Sequence, residues 1–245
     1  MGFGEQLRAN LGSAMAAAGT GLLAANELCG ACVELLGVDG AAISFVHGGV
    51  SHGTYGSSGE LGRHLDELQF TLGQGPCLDA VAHDRPVLVP DLAAVTEQRW
   101  PAFAGAVLDA GVRAVFAFPV SIAAVPVGAI DLFCYQPGPL RTDQLDASLH
   151  AAELAALPLL DLMGMDWTRT DDSGEPWTQL ASLERVEVYQ ATGMIMAQLG
   201  VGPAEALVRL RGHAFAHDQT ASEVAWAIVR RALSFEADQD GEGSS

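Results

Sequence analysis

Three residue groupings in this chain have the types and spacing that chemistry would need. Cys29-Gly30-Ala31-Cys32 is a C-x-x-C, the spacing of a dithiol redox pair or of half a zinc site. A redox pair needs its first thiol at a helix N-terminus, where the dipole lowers the pKa. A zinc site needs two more ligands. Both cysteines fall inside an Ala/Leu-rich helical run, and the other two, Cys77 and Cys134, form no second pair. They are expected to be small core residues. His213 and His217 stand one helical turn apart, a metal-compatible spacing, but no third ligand accompanies them, and both fall near the apolar side of their helix. Packed or partly exposed histidines are expected. Gly73-Gln74-Gly75 has the start of a phosphate-binding loop without its later Gly or a Lys-Ser/Thr pair, which leaves a turn. No G-x-S-x-G occurs, Gly56-Ser57-Ser58-Gly59 being no match, and the many acids form no paired catalytic set. The expectation is a protein that is not an enzyme and that carries no metal and no cofactor.

The elements that would position such residues can be read from periodicity and turn chemistry. Residues 3–37 read as helical with a break at Gly19-Thr20-Gly21. Strands are expected over 41–46 and 50–55, a helix over 59–68, a short helix over 77–83, a short strand over 86–89 and a helix over 100–110. The most apolar run, Phe116 to Phe133, is interrupted by Pro119, Pro126 and Asp131, which favours two buried strands (112–122 and 125–135) over a membrane span. A long helix follows over 143–163. Residues 164–176, with Gly164, Asp171-Asp172-Ser173-Gly174 and Pro176, read as a linker. Three more helices are expected, over 179–199, 203–217 and 221–235, the last capped by Thr220.

Charge separates the same two regions. The 245 residues carry 12 basic side chains, all Arg, against 30 acids, a formal net charge of -18. Residues 177–235 are balanced, so the acidity lies elsewhere. Hydrophobic content of 49% supplies a real core, and the acidity argues against a bulk nucleic-acid coat or a binder of anionic membranes. With no convincing targeting segment, a soluble cytoplasmic protein is expected. The expected organisation is an N-terminal helix over 1–19, a sensory domain over 20–163, a linker over 164–177, a helical domain over 178–236 and a disordered acidic tail over 237–245.

Two stretches resemble known families. Gly73-Gln74-Gly75-Pro76-Cys77-Leu78-Asp79-Ala80, Arg85-Pro86-Val87-Leu88-Val89-Pro90-Asp91-Leu92, Arg99-Trp100-Pro101, Gly111-Val112-Arg113-Ala114-Val115 and Gly128-Ala129-Ile130-Asp131-Leu132 are together similar to a GAF domain of the type common in actinobacterial regulators. Gln190-Ala191-Thr192-Gly193-Met194-Ile195-Met196, Ala204-Glu205-Ala206, Leu210-Arg211, Ala214 and Val224-Ala225 resemble an ANTAR domain. The resemblance implies an α+β fold, a GAF-type antiparallel sheet flanked by helices, followed by an all-α three-helix bundle. It also implies a homodimer that binds paired RNA hairpins in nascent transcripts and prevents a terminator from forming. Thr192 stands where the ANTAR family often has Lys. The Asn-Lys-Phe-Asp-Glu signature of cyclic-nucleotide GAF domains is absent, so that ligand is not implied, and the GAF signal is left open as a small molecule or a protein.

Gln190, Thr192, Arg209, Arg211, Trp226 and Arg230 are the candidate RNA contacts. Arg209 and Arg211 flank Leu210 at helical spacing; Glu205 is placed to pair with Arg209, which leaves Arg211 as the stronger candidate. Trp226 and Arg230 point away from the stripe Ala221, Val224, Ala225, Ile228 and Ala232. Two roles stay open for Trp226, stacking on a loop base or packing in a protein interface, the acidic neighbour Glu223 counting against RNA. An alternative for the whole chain is a protein–protein signalling module in which the GAF domain dimerises and the bundle docks a partner protein.

Overall fold

The computed structural model describes residues 3–47, 49–162 and 185–235. The expected linker and acidic tail lie outside the described residues. The chain divides into two compact units, residues 1–184 and 185–245.

The first unit is a five-stranded antiparallel sheet covered by helices on both faces. In chain order its elements are α1 (Phe3–Ala18), α2 (Gly21–Leu36), β1 (Gly40–His47), β2 (Val50–Ser57), α3 (Glu60–Leu72), α4 (Pro76–His83), β3 (Val87–Val89), α5 (Pro101–Asp109), β4 (Ala114–Ile122), β5 (Val125–Cys134) and α6 (Thr142–Leu162). The strand order is β2-β1-β5-β4-β3. Alternation along the strands sends Ile43, Phe45, Phe116, Phe118, Ile130 and Leu132 into a core with α1, α2 and α6. The alternate residues Ala42, Val115, Ala117 and Phe133 face α3, α4 and α5, with Leu65, Phe103 and Val107. Because β4 and β5 are covered on both faces, their sequence is apolar almost throughout, and this explains the run at 116–133. Among the described residues no helix is long and apolar enough to cross a membrane.

The N-terminal helix is not a separate element. Leu7, Leu11 and Met15 on α1 are buried in the same core as α2 and α6. Helix α2 buries Leu28, Cys29, Cys32 and Leu36 on one side and stops at Gly37, whose φ of 67° lets its N–H reach the Val33 carbonyl. The β4–β5 hairpin turns through Ala123 and Ala124, both left-handed at φ 49° and 67°. Alanine fills the two positions where Asn-Gly is the favoured pair.

The second unit is built from α7 (Val186–Leu199), α8 (Pro203–Ala216) and α9 (Ala221–Val229). Val188, Ala191 and Ile195 from α7, Ala206, Leu210 and Ala214 from α8, and Ala221, Val224, Ala225 and Ile228 from α9 are its buried apolar residues. Thr220 caps α9 in a full capping box: its hydroxyl accepts from the Glu223 N–H, and the Glu223 carboxylate accepts from the Thr220 N–H at 2.8 Å. The expected helix over 221–235 ends early, at Val229. Arg231 is left-handed (φ 59°), the Ala232 N–H returns to the Ala227 carbonyl, and the chain folds back so that the Phe235 N–H reaches the Gln198 side chain. Ala232 is therefore exposed and drops out of the expected stripe.

Candidate nucleic-acid interface and a buried acid cluster

The candidate RNA contacts are distributed over the three helices of the second unit. Gln190 is exposed on α7. Thr192 is not on the surface: it is 9% exposed and donates its hydroxyl to the Val188 carbonyl one turn back, at 2.7 Å. It lies on the same side of α7 as Val188 and Ile195, and back-bonding satisfies the hydroxyl inside the bundle.

On α8, Arg209 donates to Glu205 at 2.8 Å, an exposed pair one turn apart. Arg211 lies deeper. Burial holds its guanidinium below the usual arginine range, and the neighbouring Arg185 cation pushes the same way. Two like charges thus share one region of the bundle. Arg185, immediately before α7, was missed by sequence reasoning, since the juxtaposition spans 26 positions. Tyr189 was missed as well. It is exposed beside Gln190, and its place outside the apolar stripe of α7 was a legible signal.

On α9, Trp226 is 46% exposed, and the Arg230 guanidinium lies 5.1 Å from its ring centre. His213 and His217 stack at 4.0 Å, with a His217 ring nitrogen 2.9 Å from the His213 carbonyl. Burial, and then the second ring, lower the His213 pKa. No group of three or more metal-compatible side chains occurs among the described residues.

The first unit contains a second candidate site, one that residue spacing did not reveal. On the α3–α4 side of the sheet, Ser44 and Thr54 are cross-strand partners, and each donates its hydroxyl to one oxygen of Asp66. Gln69 donates to Asp131 at 2.5 Å and accepts the Cys77 N–H at 2.8 Å. Asp131 sits on β5 opposite Ala42 of β1 and Ala117 of β4. Burial pushes its pKa up to about 8, against the hydrogen bond from Gln69 and with the help of the Asp66 charge. Burial and the two acids also push the Cys77 thiol up. The Gly73-Gln74-Gly75 loop is a turn. A Cβ at Gly75, where φ is 150°, would fall 2.4 Å from the Gln69 side-chain oxygen Oε1, so glycine is needed for Gln69 to reach Cys77.

The Cys29–Cys32 pair has no reactive setting. Cys29 and Cys32 are fully buried in the α2 core, and burial raises both pKa values, that of Cys32 to about 12.

A GAF domain model matches residues 24–157, and an ANTAR domain model matches residues 178–229. Among solved structures, the chain is similar to the GAF domain of a phosphoenolpyruvate-protein phosphotransferase from Coxiella burnetii, at 13% identity and a TM-score of 0.50, over 66% of this chain and 96% of that one. It is also similar to the GAF domain of the Acinetobacter phosphoenolpyruvate-protein phosphotransferase (10% identity, TM-score 0.48, 67% and 98% covered). A third is the free methionine-R-sulfoxide reductase of Neisseria meningitidis (15% identity, TM-score 0.45, 64% and 87% covered). At these identities the likeness concerns the fold alone. No curated protein matches the chain.

Proposed function

The chain belongs to the GAF domain family and carries a following ANTAR domain, an arrangement of signal-responsive regulators, and from that premise we propose that it binds RNA hairpins in nascent transcripts and prevents terminator formation under control of its GAF domain. The reading is of a non-enzymatic, homodimeric protein that works in the cytoplasm. The observation that carries it is the exposed Trp226–Arg230 pair on a charge-balanced bundle within an otherwise acidic chain. An aromatic ring with a cation beside it offers a stacking face for an unpaired loop base and a charge for its phosphate. The acid that argued against RNA there, Glu223, is held at the start of α9 by its capping bonds to Thr220. Arg209, Arg211 and Gln190 supply further donors, whereas Thr192 is left with a packing role.

Filter binding of a hairpin RNA to the full chain tests this. With so few cations, affinity falls only gently with salt, with a log–log slope no steeper than about -2 to -3. Absence of binding at low salt would sink the reading.

One observation favours a protein partner instead. Val208 and Phe215 on α8 are 66% and 62% exposed, and they share a helix face with Gly212. Val208→Asp separates the two roles. Unchanged RNA affinity assigns that face to protein contacts, and a loss of RNA affinity draws it into the RNA surface.

A further inference from the structure

The chain beyond α9 is held against the bundle before its acidic segment begins. The Ala232 and Leu233 N–H groups both return to the carbonyl of Ala227, the neighbour of Trp226. The Phe235 N–H then reaches the Gln198 side chain at 3.0 Å, and the Phe235 ring meets the His213 ring at 5.4 Å, edge to face. Residue 236 therefore starts from a fixed point on the second unit. His213 stands one turn after Arg209 on α8, and Arg230 and Arg231 are exposed just before the fold-back. Arg209 has an exposed partner, Glu205, and surface pairs of this kind exchange at little cost.

The sequence that follows has a pattern of its own. Glu236, Asp238, Asp240 and Glu242 occupy every second position, with no basic residue between 236 and 245. In an extended chain that spacing lines four carboxylates along one side, about 6.6 Å apart, comparable to successive phosphates of a single nucleic-acid strand. The segment 236–245 spans up to about 33 Å when extended, whereas the 14-residue helix α8 is about 21 Å long, so Arg209, Arg230 and Arg231 are all within its reach. A tether this short holds the acids at an effective concentration on the order of millimolar. We propose that residues 236–245 lie across the Trp226–Arg230 surface as a mimic of the RNA backbone and compete with RNA for it. The inference rests on the reading of that surface as the RNA contact, and it adds a regulator carried by the same chain. The segment offers charge but no ring to stack on Trp226. An RNA with an unpaired base to stack displaces it, and one that offers phosphate alone competes poorly.

The test makes Glu236→Gln, Asp238→Asn, Asp240→Asn and Glu242→Gln together in the full chain, which removes the charges and keeps the length. At about 50 mM salt this amide variant binds hairpin RNA about 5-fold more tightly than the wild type, the gain expected when the segment is docked in about four-fifths of the molecules. The gain disappears by about 0.5 M salt, where the ion pairs are screened. Docking is also read without RNA, by acrylamide quenching in a background that keeps Trp226 as its only tryptophan. Quenching at low salt is about 2-fold stronger with the amide segment than with the acidic one, and the two agree at high salt. Acrylamide is uncharged, so repulsion by the acidic chain as a whole does not enter. Tighter RNA binding with equal quenching would mean long-range repulsion and would overturn the proposal, as would equal RNA affinity of the two proteins. RNA binding by neither protein would remove RNA as the partner of this surface, and unequal quenching would still establish the docked segment.

Discussion

Trp226 and Arg230 stand one turn apart at the end of α9, and the guanidinium lies 5.1 Å from the ring centre. The helix stops at Val229, so Arg230 is the residue at which the backbone leaves the helix, and its side chain returns over the preceding turn. An aromatic face half open to solvent with a cation already beside it suits a base with its phosphate. Trp226→Ala is expected to weaken hairpin binding by ~1–3 kcal/mol, roughly 5- to 150-fold. A variant keeping Trp226 as its only tryptophan should show solvent-accessible emission that is quenched by hairpin RNA. Emission that is blue-shifted and blind to RNA, and that shifts red on dilution to monomer, would establish an interface instead.

Arg209 and Arg211 should separate in their effects. Arg209 is committed to Glu205 on the surface, and such pairs contribute little, so Arg209→Ala is expected to change unfolding free energy by less than ~0.5 kcal/mol. Arg211 is desolvated and faces Arg185, and an incoming phosphate would relieve that like-charge contact. Arg211→Ala should therefore lower hairpin affinity by about 10-fold or more, well beyond Arg209→Ala. Equal losses in filter binding would remove the distinction.

The Asp131 carboxyl gives the first unit a pH dependence of known sign. Burial pushes its pKa up to about 8 in the folded chain, against an ordinary carboxylate value of roughly 4. Between these values the unfolded chain has released the proton and the folded chain has not, so the stability contributed by this group falls as pH rises from about 4 to about 8 and is flat beyond. The full span is at most ~6 kcal/mol. Asp131→Asn should flatten the profile, and its advantage over the wild type should grow with pH across that window. Urea titrations at pH 5 and pH 8 that show the same difference between the two proteins would contradict this.

The Ala123–Ala124 turn carries removable strain. A left-handed residue with a Cβ costs ~1–2 kcal/mol over glycine. Ala124→Gly should stabilise the first unit by ~1 kcal/mol, less the extra freedom of glycine in the unfolded chain. A lower urea midpoint would show that the strain is relieved in some other way.

The features legible in the sequence are those set by near neighbours along the chain. Thr220 and Glu223 are three residues apart, and their capping box follows from that spacing. The buried side of α9, Ala221, Val224, Ala225 and Ile228, follows from helical period, and so does the outward placement of Trp226. The β4–β5 hairpin follows from the apolar run and its interruptions. Other features depend on pairing between distant segments. Thr192 was placed on the RNA surface, and only the packing of three helices decided that its side of α7 is inside. The end of α9 was set by a contact from Phe235 back to Gln198, 37 residues earlier. Asp66 and Asp131 are 65 positions apart, and nothing local marks either as buried. They meet because strand register puts Asp131 beside β1 on the face where Ser44 and Thr54 hold Asp66, and because helices covering both faces of the sheet exclude the water that would otherwise have kept the Asp131 carboxyl ordinary.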